Sequence, residues 1–330
     1  GDIQGVVNEN FVYLDLKRRI SFPREIALET PAFSTWGKYE IDFFVKSVHA
    51  GQHTYAVEVK AGKNSKGRQR YKCNNCKRRF INSTNHLMHW SHLSKEQWEI
   101  LFYSSLNNDY LSKTAKLVGI SIVSAFYNRH KLMYVLNELI NKKQLSKKIA
   151  LDETYLTYQA KGFVNQNRRG ISKDKIGIAC AIDEAGNYVV HTADRGRPTS
   201  STLIDIFKNT IRPGSIVISD SQRSYHQLMD ALNIKWVKIP SGEKSKDGYT
   251  LEMVNRLHDR IKAFFRGKRN VMTHYLQGYL ALFQYSELHT MMIGSKMFQD
   301  EFMKINNILS GVRNKDICPE VNLYKTLYEC

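Results

Sequence analysis

The chain is poor in cysteine and proline, with five and six in 330 residues. Only one close cysteine pair occurs, Cys73 and Cys76. An odd total with a single pair does not make a disulfide framework, so a reducing, cytoplasmic setting is expected. No run of about 18 apolar residues is present, which excludes a membrane-spanning helix. The first residues, GDIQGVVNENFVYLDL, lack a basic stretch followed by an apolar core, so no secretory signal is read there. Nor is there an initiator Met, which reads as a fragment. Low hydrophobicity is not among the deficits: 42% hydrophobic and 24% charged residues exclude a wholly disordered chain. The length suggests about two domains.

What the chain has in excess is positive charge, a formal +18 with a pI near 9.6. That excess is not uniform. Residues 1–67 are nearly balanced, with 9 Lys and Arg against 8 Asp and Glu, whereas 68–150 hold 15 against 4 and 151–330 hold 25 against 19. A basic segment set between two better balanced ones points to a polyanionic partner, most often nucleic acid.

Hydrophobic periodicity organises the rest. Residues 5–20 read as a helix, 39–46 and 53–60 as strands joined by a turn at Gly51, and AGKNSKGRQR (61–70) as a loop or linker. Residues 94–107 and 111–142 read as helices. Gly119 parts two apolar-periodic runs in the second, the pattern of a helix-turn-helix whose recognition helix starts near Ser121. Ser121, Ser124, Arg129 and Lys131 are then its candidate DNA contacts. From 149 the order becomes three strands, then helix, strand, helix, strand and a long helix, TLEMVNRLHDRIKAFFRG, with caps expected at Tyr249–Thr250 and Gly267.

Asp152 lies in the first strand of this block, Asp220 closes the strand SIVISD, and Asn255 precedes Lys262 by two turns on the last helix. Two aspartates on adjacent strands plus one oxygen ligand from a helix can converge on divalent cations, which phosphodiester chemistry uses to activate the attacking oxygen and stabilise the leaving one. Lys262 would face a DNA phosphate. Each acid has a plainer reading, Asp152 as a solvated strand residue and Asp220 as the cap of the following turn. Glu153 and Asp183 read as supporting or surface acids.

The segments RYKCNNCKRRF, KLVGISIVSAFYNRHK, ALDETYL, DRGRP, ISDSQRSY and VNRLHDRIK resemble bacterial insertion-sequence transposases of the DDE class, in the ISXO-like group, over about residues 68–330. The resemblance implies an α/β fold with a ribonuclease H-like catalytic core at 149–290. It also implies Mg²⁺- or Mn²⁺-dependent strand cleavage and strand transfer on double-stranded DNA (terminal repeats and target), action as a homo-oligomer, and a bacterial, nucleoid-associated location. Carried over, Asp152 and Asp220 are the first two catalytic acids and metal ligands, Asn255 takes the third position and Lys262 the basic one. Most such enzymes have Glu where this chain has Asn255, and Glu252, one turn earlier, could supply a carboxylate instead. Arg195 and Arg197 of the ADRGRP loop are expected phosphate contacts.

Cys73-x2-Cys76 is half a zinc ribbon, and zinc needs four ligands. His86, His89 and His92 could complete the set, or the knuckle (68–93) is an orphaned remnant. In residues 1–67, Glu9, Asp42, Glu58 and Lys60 form an acid and ExK pattern on helix, strand and strand that suits a PD-(D/E)XK nuclease-like core. The stretch ENFVYLDLKRR, KYEIDFFVK and YAVEVKAGKN resembles a C-terminal domain found behind the ATPase module of bacterial AAA+ proteins. No GxxxxGK[ST] is present to supply that ATPase. The expected architecture is therefore a fusion: a truncated, α+β restriction-endonuclease-like fragment at 1–67, the half zinc ribbon, a helix-turn-helix region at 94–148, the catalytic domain, and a helical tail at 291–330. If catalysis is lost, the same chain is a DNA-binding remnant.

Overall fold

The computed structural model describes residues 86–140, 144–240, 242–243, 245–268, 271–289 and 296–308, with residues 26–27, 34–36, 39–41, 43–47, 54–63, 69–73, 79–81, 84, 312 and 317. The chain divides into two compact units, Gly1–Thr84 and Asn85–Cys330. The helix expected over 5–20, and with it Glu9, lies outside the described residues, as do Asp42 and Cys76.

In the first unit, strands β1 (Ile26–Ala27), β4 (Phe43–Ser47), β5 (Thr54–Lys63), β6 (Gln69–Cys73) and β7 (Arg79–Phe80) form one sheet in the order β1-β4-β5-β6-β7. A separate pair joins β2 (Ser34–Trp36) to β3 (Tyr39–Ile41). Every pairing among these strands is antiparallel. Of the loop or linker expected at 61–70, residues 61–63 and 69–70 are strand, with Lys63 opposite Gln69, and residues 64–68 lie outside the described residues. The expected junction at 67/68 lies outside the described residues, and the first compact unit runs on to Thr84.

The second unit opens with three helices. α1 (Lys95–Leu106) begins at a capping box, in which the Ser94 hydroxyl accepts from the Gln97 N–H while the Gln97 side chain accepts from the Ser94 N–H. α2 (Leu111–Val118) stops at Gly119, whose φ of +73° is a left-handed conformation that side chains resist. α3 (Ile122–Ile140) starts where the Ser121 hydroxyl accepts from the Ser124 N–H.

A five-stranded sheet follows, ordered β10-β9-β8-β11-β12, from β8 (Lys148–Thr157), β9 (Lys175–Asp183), β10 (Tyr188–Arg195), β11 (Ile216–Asp220) and β12 (Lys235–Ile239). The first three strands in sequence are antiparallel neighbours, and β11 lies parallel to both β8 and β12. This mixed sheet is consistent with the ribonuclease H-like core implied by the resemblance. Helices α4 (Ser200–Phe207) and α5 (Ser224–Leu232) cover one face with Leu203, Phe207, Tyr225 and Leu228. α6 (Glu252–Arg266) and α7 (Leu276–His289) cover the other.

The long helix differs from expectation at its start. Tyr249–Thr250 pairs as strand β14 with β13 (Ser245–Lys246), and the helix begins after Leu251 without a side-chain cap. One hydrophobic core also crosses the expected boundaries at 148 and 290. Trp98, Leu101 and Phe102 of α1 share it with Ile178, Val254 and Leu280, and with Phe298 and Phe302 of α8 (Lys296–Asn306). The Phe102 and Phe298 rings stack at 5.0 Å. The helical region, the sheet and α8 therefore fold as one body, because no one of them buries its apolar face alone.

Candidate active site

Strand alternation sorts the acids. Along β8 successive side chains point to opposite faces, so Asp152 shares a face with Ala150 and Glu153 with Leu151. Ala150 belongs to the core under α6, and Leu151 to the core under α5. Parallel pairing sets Ile216, Val217 and Ile218 of β11 opposite Lys148, Ile149 and Ala150. Two more residues along that register, Asp220 comes level with Asp152 on the same face.

Each aspartate has one oxygen engaged locally. Asp152 Oδ1 accepts from the Glu153 N–H at 2.8 Å, and Asp220 Oδ1 from the Gln222 N–H at 3.0 Å, opening the turn into α5. The plainer reading of Asp220 as a turn cap is thus true of one oxygen. Among the described residues, Oδ2 of neither has a hydrogen-bond partner. Burial, then the negative charge of Asp220, push the Asp152 carboxyl up to about 6, against the Glu153 N–H bond and the Lys262 ammonium.

α6 packs across β8 and β9 and brings basic and neutral groups over this pair. Lys262, itself exposed, is close enough to favour the Asp152 carboxylate. His258 lies one turn before Lys262 and was not singled out by sequence. It is buried, it hydrogen-bonds the Asp152 backbone, and among the described residues its Nε2 has no partner. Burial, with help from Lys262, pulls its pKa down to about 4, so it is a neutral imidazole at neutral pH. The signal for it was present: His258 is three residues after Asn255 and next to Leu257, on the buried side of the helix. Asn255 is exposed on the first turns of α6. Glu252 is exposed as well, and its Oε1 is held at 2.5 Å by Arg256.

On the opposite face, Glu153 is buried and accepts a 2.7 Å hydrogen bond from the Tyr225 hydroxyl. Burial raises it to about 7, with Asp152 and Asp220 adding to the shift and Tyr225 and Arg197 opposing it. Its neighbour on that face, Tyr155, has a buried hydroxyl without a partner among the described residues, and burial, then the charge of Glu153, raise its pKa. Asp183 is a turn-former, its Oδ1 accepting from the N–H groups of Ala185 and Asn187.

The DRGRP turn divides its work. Asp194 caps α4 through Thr199 and Thr202. Gly196 has φ +86°, and a Cβ on Gly177 would meet the Gly196 carbonyl and Pro198 at 3.3 Å, so the turn lies flat on β9. That seating puts Arg197 where its charge reaches Glu153 and Tyr155. Arg195 is exposed, and its guanidinium lies over the rings of Tyr158 (4.1 Å) and Phe163 (4.5 Å) and donates to the Lys173 carbonyl.

The helix-turn-helix expectations need correction at two residues. Arg129 is 2% exposed, and donates to the Asp109 carbonyl and the Thr114 hydroxyl. Lys131 is 2% exposed and donates to the His89 carbonyl at 3.0 Å. Both lie on the inner side of α3, so neither reaches a phosphate. Ser121 is exposed and Ser124 half-buried at the start of that helix, beside exposed Ile122 and Val123. The side chains of Cys73, Glu58 and Lys60 lie outside what is described. Of the histidines, His86 is buried and His92 exposed, and among the described residues no three His, Cys, Asp or Glu side chains are grouped to hold a metal.

The Asp152–Asp220 pair nevertheless fits a hard divalent cation. Two carboxylates side by side with unengaged oxygens repel one another, and a cation between them removes that cost.

The family model described as the ISXO2-like transposase domain matches residues 144–287, from just before β8 to near the end of α7. A search of curated proteins returns no match. Among solved structures the chain is similar to that of a simian T-cell lymphotropic virus intasome in complex with PP2A regulatory subunit B56 gamma, at 14% identity over 56% of this chain and 66% of that one, with a TM-score of 0.30. It is similar to the Drosophila P element transposase strand transfer complex at 13% identity over 66% and 65%, TM-score 0.29. Likeness to the Mos1 mariner paired end complex with Mn is 12% over 56% and 73%, TM-score 0.19. The chain spans just under two thirds of the first two. No described helix is long and apolar enough to cross a membrane.

Proposed function

We propose that residues 144–287 cut and join DNA strands as a DDE-type transposase, with Asp152 and Asp220 holding Mg²⁺ or Mn²⁺ and the Asn255 amide as third ligand. The observation that carries this is the level, same-face arrangement of Asp152 and Asp220 beneath α6. When bound, the metal supplies activation of the attacking oxygen and stabilisation of the leaving one at the scissile phosphate. The chain's own residues do the positioning. Lys262 supplies a cation beside the carboxylates, and His258 ties α6 to β8, fixing the helix that carries Asn255 over the strand that carries Asp152. Arg197 is the phosphate contact of the DRGRP turn, while Ser121 and Ser124 are the contacts at the start of α3.

The test is Mg²⁺-dependent nicking and strand transfer on DNA carrying the flanks of the chain's own gene, comparing the wild type with Asp220→Ala. Activity that disappears in the variant supports the proposal, and activity that survives overturns it. Two observations favour a second reading, a DNA-binding remnant: Asn255 offers a neutral amide where a carboxylate is usual, and Glu252 is engaged by Arg256. DNA binding with no nicking in the wild type would select that reading.

A further inference from the structure

Between β8 and β9 the chain makes a long excursion, residues 158–174, seated at its start by Tyr158, which packs against the core, and by Gln159, whose N–H donates to the Thr273 hydroxyl. Through residue 175 it contains Lys161, Arg168, Arg169, Lys173 and Lys175 against a single acid, Asp174. Lys161, Arg168, Arg169 and Lys173 are exposed, and none of them has an ion pair among the described residues. The one acid is turned inward: Asp174 is 4% exposed, its Oδ2 accepts from the Arg168 N–H at 3.0 Å and its carbonyl from the Tyr158 N–H at 2.8 Å.

The excursion is also built. Arg195 lies over Tyr158 and Phe163 and donates to the Lys173 carbonyl, so one side chain at the end of β10 clamps both arms. At the base, the Gly196 N–H donates to the Lys175 carbonyl at 2.8 Å, and the Tyr158 and Phe163 rings meet edge to face at 4.9 Å. A braced loop that turns four cations outward and folds its only anion inward does not look like a solvated linker. A solvated linker mixes charges and lacks a clamp.

We infer that residues 158–174 form a strap that grips the phosphate backbone of double-stranded DNA through Lys161, Arg168, Arg169 and Lys173. Arg195 is its brace rather than a phosphate contact. The strap leaves β8 six residues after Asp152, which at about 3.3 Å per residue is roughly 20 Å along the strand. Along one DNA strand, about 3.4 Å per phosphate makes that about six base pairs from a scissile phosphate at Asp152. The inference rests on the DNA-cutting reading.

The experiment is fluorescence anisotropy of the full chain on a mixed-sequence 30-base-pair duplex across 50–200 mM salt. The wild type is compared with a variant carrying Lys161→Ala, Arg168→Ala, Arg169→Ala and Lys173→Ala. Each lost phosphate contact removes about 0.9 from the log–log salt slope. Over this salt range the wild-type Kd is therefore expected to weaken between about 12-fold (two contacts) and about 150-fold (four) more than that of the variant. A control variant neutralised at Lys147, Lys208, Arg212 and Lys235, at the opposite end of the parallel strands, is expected to follow the wild type. Salt curves that superimpose for wild type and strap variant, with unchanged circular dichroism, overturn the strap while leaving the DNA-cutting reading intact. An equal loss in the control overturns it too, since general charge would then suffice. A wild type that fails to bind overturns both.

Discussion

The Tyr225 hydroxyl donates to the Glu153 carboxylate at 2.7 Å, directly behind the strand position that turns Asp152 toward α6. Adjacent residues of one strand thus serve two faces. One acid stands among unpaired oxygens, the other is buried under α5.

That burial makes stability pH-dependent. Glu153 has an ordinary value of 4.5 and is raised to about 7 in the folded chain. The folded state therefore binds more protons than the unfolded one between those values, so stability is full below about 4.5 and falls as pH rises through about 7. Glu153→Gln keeps an acceptor for Tyr225 and removes the ionisation. It is expected to raise stability at pH 8 by roughly 2–3 kcal/mol and to change it little at pH 4. Denaturant titrations in EDTA at the two pH values measure this. Equal effects at both would contradict it.

Removing Asp220's charge relieves Asp152. In Asp220→Asn the Asp152 carboxyl is expected to fall below its wild-type value of about 6, since one of the causes raising it is gone. Lys262→Gln should move it the other way. Carboxyl-carbon NMR titration of the metal-free chain reports both directions.

Metal should stabilise the fold through the same pair. A divalent ion at ten times its Kd adds about 1.4 kcal/mol to a chain that binds it only when folded. Mg²⁺ is expected to raise the melting temperature of the wild type and to leave that of an Asp152→Asn, Asp220→Asn variant unmoved. An equal rise in both would show that the ion acts elsewhere.

Arg129 is predicted to matter for folding rather than for DNA. Arg129→Ala leaves the Thr114 hydroxyl and the Asp109 carbonyl without their charged donor and opens a cavity under α3. A loss of about 2–4 kcal/mol follows. Below the melting transition, duplex affinity per folded molecule should match the wild type, and a tenfold weaker Kd would return Arg129 to the DNA surface.

Ser121 is an N-terminal cap whatever else it does. Ser121→Ala should cost about 1 kcal/mol through the lost hydrogen bond to the Ser124 N–H, whereas Ser121→Asp should restore it. Chemical denaturation distinguishes the pair.

What the sequence by itself determined is local: the strand alternation that separates Asp152 from Glu153, the turn at Gly119, the helix that carries Asn255 and Lys262 on one stripe, and the segments matched by the ISXO2-like family model. Periods of 2 and 3.6 residues are written in the order of apolar residues, so such features are readable from neighbours alone. Only the tertiary structure decided which partner each polar group met. The same basic composition that suggested phosphate contacts at Arg129 and Lys131 is consistent with burial, because hydrogen bonds to carbonyls 20 and 42 residues away satisfy those cations. Lys63 and Gln69, at the two ends of the expected loop or linker, are strand residues because each has the other opposite it. His258 acquired its place over Asp152 when α6 crossed β8. Contacts between distant segments depend on the packing of the whole core, and no local pattern encodes the partner that packing will bring.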